Sequence, residues 1–231
     1  MRRAFALVYG PLLGVTAVVT GAALALIFLV APEERVMGAV QKLFYIHVPL
    51  AFVTFLAVFV LLVGALGYLG TRRPVWDRLA RATSEVGWLF CTLVLVTGPI
   101  WARPAWGVWW TWEAKLTTTL VLWLLLAGIL LARGYATTPE QGARVGAVLG
   151  VIAALDVPII YKAVDWWRGQ HPIVFGPGKS DPLAPGMRAA FLVAMLAVTL
   201  VFALLVVLRM RLAALEDAIV AAEDAAWRSS S

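Results

Sequence analysis

Two histidines and a dense run of tryptophans are the residues in this sequence best suited to chemistry. The chain has 231 residues and only two histidines, His47 and His171. Between them, five tryptophans fall within twelve residues, namely Trp101, Trp106, Trp109, Trp110 and Trp112. An imidazole nitrogen can ligate a metal ion, and an indole ring offers a large rigid face to a planar ligand. The combination predicts a site for a flat molecule that carries a metal.

The number of candidate ligands narrows the choice of metal. Either histidine alone could serve as a structural hydrogen-bonding group at a helix end. Two histidines are too few for a structural zinc site, which takes four protein ligands. The single cysteine, Cys91, lies in an apolar run and leaves no C-x-x-C pair for thiol exchange or haem attachment. Haem needs only one or two axial ligands from the protein, so we predict that His47 and His171 ligate haem iron.

The tryptophans allow a second interpretation, an aromatic belt at the membrane interface. Isolated rings such as Trp76, Trp88 and Trp123 fit a belt well. A belt needs rings around the whole perimeter, whereas residues 101–112 concentrate them in one segment. We therefore interpret the cluster as a ligand platform. We add Trp166 and Trp167, the pair that precedes His171, to the predicted haem-binding residues.

Four charged residues near these clusters also qualify as candidates. Arg103, Lys115 and Arg168 could pair with the two propionates of a haem, because cations bind carboxylates through charge-assisted hydrogen bonds. Each could equally extend along the membrane interface for its own solvation. Asp156 lies in an otherwise apolar run, where a carboxylate is costly and usually has a specific partner. A structural role beside Pro158 and a role near the ligand both remain open for it.

The elements that must position these residues are membrane helices. The chain is 62% hydrophobic and 14% charged, whereas soluble domains carry about 25% charged residues. Apolar runs near the ~20 residues needed to cross a bilayer predict an all-α polytopic membrane protein. The six predicted spans are 11–31, 47–69, 86–101, 116–133, 144–162 and 187–208. The third is short, and we expect that its end could extend into the tryptophan segment.

The distribution of lysine and arginine predicts the orientation. With six spans both termini share a side. That side, with the loops 70–85 and 134–143 and the bordering Arg133 and Arg144, holds eleven of the nineteen cations. The other side holds eight, so the positive-inside rule places the termini in the cytoplasm. The expected periplasmic parts are a tryptophan-rich platform at 97–117 and a loop at 163–186 with the second histidine. Residues 209–231 form a cytoplasmic tail that could continue the last helix.

Three segments resemble the CcmC family, the membrane haem-handling proteins of cytochrome c maturation that carry the WWD signature. WGVWWTWEAKLT at 106–117 is similar to that signature, with Glu113 in place of its aspartate and Lys115 in place of its arginine. FYIHVP at 44–49 resembles the family's first histidine segment. VPIIYKAVDWW at 157–167, followed by His171, resembles its second, although Gly169 and Gln170 precede the histidine where the family usually has Leu-His-Gln.

The resemblance implies a function for the whole chain. It implies that the protein holds haem b, transiently and without a covalent bond, at the periplasmic face of the bacterial cytoplasmic membrane. It also implies delivery to the periplasmic haem chaperone CcmE, with CcmA, CcmB and CcmD as an associated ATP-hydrolysing complex. The chain has no G-x-x-x-x-G-K-[ST] P-loop of its own.

Other functions fit parts of the pattern. The sequence offers no nucleophile–base pair of a conventional enzyme, so its expected role is placement of the ligand. An electron-transfer b-type cytochrome subunit could use the same two histidines for a permanently bound haem, although such subunits commonly place both ligands within the helical bundle. A small-molecule transporter with broken helices around a midplane site is supported only by Asp156, and the sequence shows no paired second half.

Overall fold

Six long helices make up the computed structural model, which describes residues 2–33, 37–172, 183 and 185–230. They are α1 (Arg2–Ala25, continued by a π-helical turn Leu26–Val30), α2 (Phe44–Thr71), α3 (Pro74–Trp106), α4 (Ala114–Gly134), α5 (Pro139–Trp167) and α6 (Pro185–Ser230). A short 3-10 helix, Ala39–Leu43, leads into α2. Within the described residues, six helices are long and apolar enough to cross a membrane, which confirms the predicted all-α membrane class.

Helix α2 lies at the centre of the bundle and packs against α3, α5 and α6. Near its start, Phe44 and Tyr45 join a buried cluster with Ile27 of α1 and Phe191 of α6. Farther along, its side chains join a second cluster that includes residues of α3, α4 and α5, among them Val58, Leu61, Cys91, Leu122, Leu126 and Ile160. The start of α2, where His47 lies, is therefore fixed by packing on several sides.

Small residues allow α2 and α3 to approach closely. A Cβ atom placed on Gly64 would lie 2.9 Å from the backbone nitrogen of Ala80, and one on Gly87 would lie 3.3 Å from the Cβ of Ala57. Membrane helices associate largely through such van der Waals contact, for which small residues are needed. This close packing sets the position of α3, and with it the position of the tryptophans at its end.

The third helix is twice as long as its predicted span. The sequence predicted a span over 86–101 with a loop at 70–85, but α3 begins at Pro74 and continues through Pro99 and Pro104. It ends only at Gly107, whose positive φ of 77° is easily adopted by glycine. The predicted loop at 134–143 is likewise shortened, because α5 already begins at Pro139.

Ion pairs join the polar start of α3 to neighbouring helices. Arg133 Nη2 lies 2.7 and 2.9 Å from the two carboxylate oxygens of Asp77. Arg78 donates to Asp217 at 2.7 Å, and Arg209 pairs with Glu85. These contacts join α3 to α4 and to the extension of α6. Hydropathy alone could not reveal them, since each pair joins residues far apart in the chain.

The C-terminal segment forms part of the last helix. The sequence predicted a tail over 209–231 that could continue the sixth span, and α6 is helical to Ser230. Of the predicted loop 163–186, residues 163–167 belong to α5, and residues 173–182 and 184 lie outside the described residues.

Candidate functional site

A cavity of about 360 Å³ lies at the end of the bundle where α2 and α4 begin and where α3 and α5 end. Its size falls in the range of about 300–1,000 Å³ typical of small-molecule sites. Both histidines line it, although 124 positions separate them in the chain. The bundle therefore brings together the two residues that the sequence predicted as axial ligands.

The His47 ring is held by the last turns of α3. Its Nδ1 lies 2.8 Å from Thr97 Oγ1, and that hydroxyl donates to the carbonyl of Leu93 at 2.7 Å. Because the hydroxyl proton is used by Leu93, Thr97 accepts from His47, so the proton of the neutral ring is assigned to Nδ1. Gly98 lies against the same ring, since an added Cβ would be 3.3 Å from His47 Cε1. The Nε2 lone pair is thus left for a ligand.

His171 follows α5 in the short described part of the loop. Its Nδ1 lies 3.2 Å from the carbonyl oxygen of Pro172, and a carbonyl can only accept, so Nδ1 carries the proton here as well. The imidazole and the Trp106 ring meet edge to face, with ring centroids 6.2 Å apart. Burial and the nearby charge of Lys115 lower the pKa of His171 to about 4. The ring is therefore neutral near pH 7, the form that can donate a lone pair to a metal.

The tryptophans divide into two groups. Trp101, Trp106 and Trp110 line the cavity, and Trp101 and Trp106 meet edge to face with centroids 5.9 Å apart. The other four predicted rings do not line it and are more than half exposed, namely Trp109, Trp112, Trp166 and Trp167. The structure thus brings three of the seven predicted rings together around the cavity.

The predicted cations divide in the same way. Lys115 lines the cavity, whereas Arg103 and Arg168 are exposed and do not. Arg168 has a positive φ of 51° and ends α5. Asp156 is 8% exposed, lies one turn before Ile160 on α5, and is not among the lining residues.

Several residues of the site were not predicted. Tyr161, Lys162 and Asp165 line the cavity, and Lys162 pairs with Asp165 at 3.2 Å. Their spacing gave a usable signal, because Tyr161 and Asp165 are four residues apart and so share a face of one helix. Thr97 gave none, because its role depends on the packing of α3 against α2.

The cavity has the features that a haem would require. Trp101 Nε1 and Trp110 Nε1 are buried donors with no hydrogen-bond partner among the described residues, although buried polar groups are normally paired. Both rings line the cavity beside the Lys115 ammonium. Such donors suit a carboxylate like a haem propionate, and the two histidines are of a type that could ligate its iron.

Comparison with known proteins decides the family. The sequence profile of the CcmC family, described as heme exporter protein C, matches residues 2–224. The chain belongs to the CcmC family. The heme exporter protein C of Bradyrhizobium diazoefficiens is 36% identical over 191 residues, which is 82% of this chain and 70% of that protein.

More distant CcmC relatives cover similar shares. The heme exporter protein C of Escherichia coli K12 is 29% identical over 181 residues, 78% of this chain and 73% of that protein. A Marchantia polymorpha protein whose name includes "cytochrome c biosynthesis ccmC-like mitochondrial protein" is 31% identical over 160 residues, 69% of this chain and 68% of that protein. The CcmC match covers α1 to α5 and most of α6, and it includes every residue that lines the cavity.

Proposed function

We propose that this protein binds haem b at the periplasmic face of the bacterial cytoplasmic membrane and presents it to the haem chaperone CcmE during cytochrome c maturation. Membership of the CcmC family supports the haem-handling role. The observation that carries the proposal is the position of the only two histidines, which line one cavity. In the assigned tautomers each ring keeps its Nε2 lone pair for a ligand.

Each group of residues has a distinct role in this proposal. His47 and His171 ligate the iron, and Trp101, Trp106 and Trp110 contact the ring system. Lys115, which lines the cavity, and the two buried indole N–H groups bind propionates. Both indole N–H groups lack partners among the described residues. When bound, haem supplies the chemistry of its later covalent attachment, and the protein contributes placement and water exclusion.

The exposed residues are available to the partner. Trp109, Trp112, Trp166 and Trp167 lie at the same end of the bundle as the cavity but outside it. We propose that they contact haem only at its exposed edge or contact CcmE, with Arg103 and Arg168 beside them. Haem held without a covalent bond can then leave toward CcmE, and the associated complex of CcmA, CcmB and CcmD supplies ATP hydrolysis.

Removal of either axial ligand tests the proposal. The purified protein should show a low-spin haem spectrum, and the haem should be lost on a denaturing gel. His47→Ala and His171→Ala should each give five-coordinate or water-ligated iron and at least tenfold faster haem loss. Added imidazole should partly restore the low-spin spectrum, because it can occupy the vacated position.

Two results would contradict this function. Low-spin spectra that remain unchanged in both single variants would exclude ligation by the two histidines. A haem that stays bound, cycles reversibly between redox states and is never transferred to purified CcmE would instead indicate an electron-transfer cytochrome. His→Ala variants should be compared at equal membrane insertion, measured by detergent-solubilised yield.

A further inference from the structure

Glu113 connects the tryptophan segment to the loop of the second histidine. Its Oε2 accepts hydrogen bonds from the backbone N–H groups of Gln170 at 2.7 Å and His171 at 3.2 Å. These groups lie 57 and 58 positions away in the chain. The carboxylate is thus bonded to the backbone of the predicted ligand itself.

The side chain is used for this contact in place of a local one. Glu113 is the N-cap of α4, and its carbonyl accepts from Thr117 N at 3.0 Å. N-cap side chains commonly accept from the first free N–H groups of their own helix, but this carboxylate makes no such bond. Its second oxygen, Oε1, is buried without a partner among the described residues. The carboxylate is therefore directed away from its helix and toward the loop.

The loop is shaped to receive the carboxylate. A Cβ atom on Gly169 would lie 2.9 Å from Glu113 Oε2, closer than real Cβ contacts allow. With glycine here the loop backbone comes near enough for both N–H groups to reach one oxygen, and any added side chain would have to push the carboxylate aside. The second of these N–H groups belongs to His171, whose side chain contacts Trp106.

We infer that Glu113 is the positioning residue of the second haem ligand, holding the His171 backbone so that its imidazole faces the cavity. The carboxylate would not touch haem, and its effect passes through two backbone hydrogen bonds. Groups that orient a metal ligand commonly change metal affinity by about 10–100-fold when they are removed. This inference rests on the proposed haem site for its spectroscopic consequence, but not for its structural one.

Hydrogen exchange of the haem-free protein tests the structural consequence. In detergent-solubilised wild type, the amides of Gln170 and His171 should exchange slowly. Glu113→Ala should speed their exchange by about tenfold or more, because hydrogen bonds to a charged acceptor are strong. Exchange within α2 should not change. Equal exchange of the two amides in wild type and Glu113→Ala would overturn the inference, whether or not the protein binds haem.

Haem spectroscopy tests the effect on ligation. Glu113→Ala should lose most of the low-spin signal and regain it with imidazole, while Glu113→Gln should keep most of it, since an amide oxygen can still accept. In a His171→Ala background, Glu113→Ala should have no further effect. A further loss of similar size there, or a Glu113→Gln variant as impaired as Glu113→Ala, would show that the residue acts elsewhere.

A second variant leaves the carboxylate in place. Gly169→Ala puts a methyl group against Oε2 and should give the same faster exchange and loss of low-spin signal. Gly128→Ala is the matched control, because a Cβ there meets nothing within 4 Å. Failure of wild type to bind any haem would contradict the proposed function alone. Normal wild-type binding with an unaffected Gly169→Ala variant would contradict the role of Glu113 alone.

Discussion

The tautomer of His47 depends on Thr97, a residue that the sequence did not indicate as part of the site. Thr97 uses its hydroxyl proton on the carbonyl of Leu93, so its oxygen can only accept from the imidazole. That arrangement fixes both the tautomer and the ring orientation of His47, as hydrogen-bond partners of metal-ligating histidines commonly do. One residue later, Gly98 leaves room for the ring. The orientation of the His47 ring is thus set by the adjacent helix α3.

At this residue scale we expect Thr97→Val to weaken haem binding by about 10–100-fold, the usual effect of losing such a partner. Thr97→Ser keeps the hydroxyl and should bind nearly as wild type does. Thr199→Val is a matched control, because that hydroxyl bonds to the Met195 carbonyl of its own helix. Haem titration followed by absorption provides the measurement. Equal affinity of Thr97→Val and wild type would show that Thr97 does not orient the ligand.

At the scale of the elements, the packing of α2 against α3 determines where the site residues lie. The backbones of the two helices come into close contact at Gly64, where a Cβ would be 2.9 Å from the backbone nitrogen of Ala80. Backbone cannot move as a side-chain tip can, so a larger residue at this point has to separate the helices. Because His47 is on α2 and Thr97 is on α3, separating the two helices would also weaken the hydrogen bond that orients the His47 ring.

We predict that Gly64→Ala destabilises the protein by roughly 1–3 kcal/mol, the usual cost of overpacking a core. Gly70→Ala on the same helix is the control, since its Cβ would meet nothing within 4 Å and alanine favours the helix. Thermal unfolding in detergent, followed by circular dichroism, gives the comparison. A Gly64→Ala protein as stable as Gly70→Ala would contradict the importance of this close approach.

At the scale of the whole molecule, the two ends of the bundle differ in kind. One end holds the cavity with its histidines and tryptophans. The other holds the ion pairs of α3 with α4 and α6, including those of Arg78, Arg133 and Arg209. Several cations that predicted a cytoplasmic side are thus paired, but the positive-inside rule counts lysine and arginine rather than net charge. The prediction that the termini lie in the cytoplasm is therefore unchanged by these ion pairs.

We predict that the cavity end faces the periplasm. In a Cys91→Ala background, the Val108→Cys variant should react with a membrane-impermeant maleimide in intact spheroplasts. Tyr135 is 85% exposed in the turn between α4 and α5, and the Tyr135→Cys variant should react only after the membrane is opened. Labelling in the reverse order would place the cavity in the cytoplasm and contradict the proposed delivery to a periplasmic chaperone.

The sequence by itself determined the class of the protein and the candidate residues. Long apolar runs indicate membrane helices, because a segment in lipid has no water to bond and must satisfy its backbone hydrogen bonds within itself. Rare residue types in a short space, such as five tryptophans in twelve residues, indicated the site through composition alone. Six helices and two histidines at one end followed directly from counting spans.

Only the tertiary structure decided which of those residues meet and how they are held. Trp110 lines the cavity while its neighbour Trp109 is exposed. The sequence could not distinguish the two, because residues outside a regular helix have no periodicity from which to assign faces. Glu113 reaches His171 over 58 positions, and the charges at the start of α3 pair with side chains of a distant helix. These features depend on contacts between separate elements, and local sequence carries no record of such contacts.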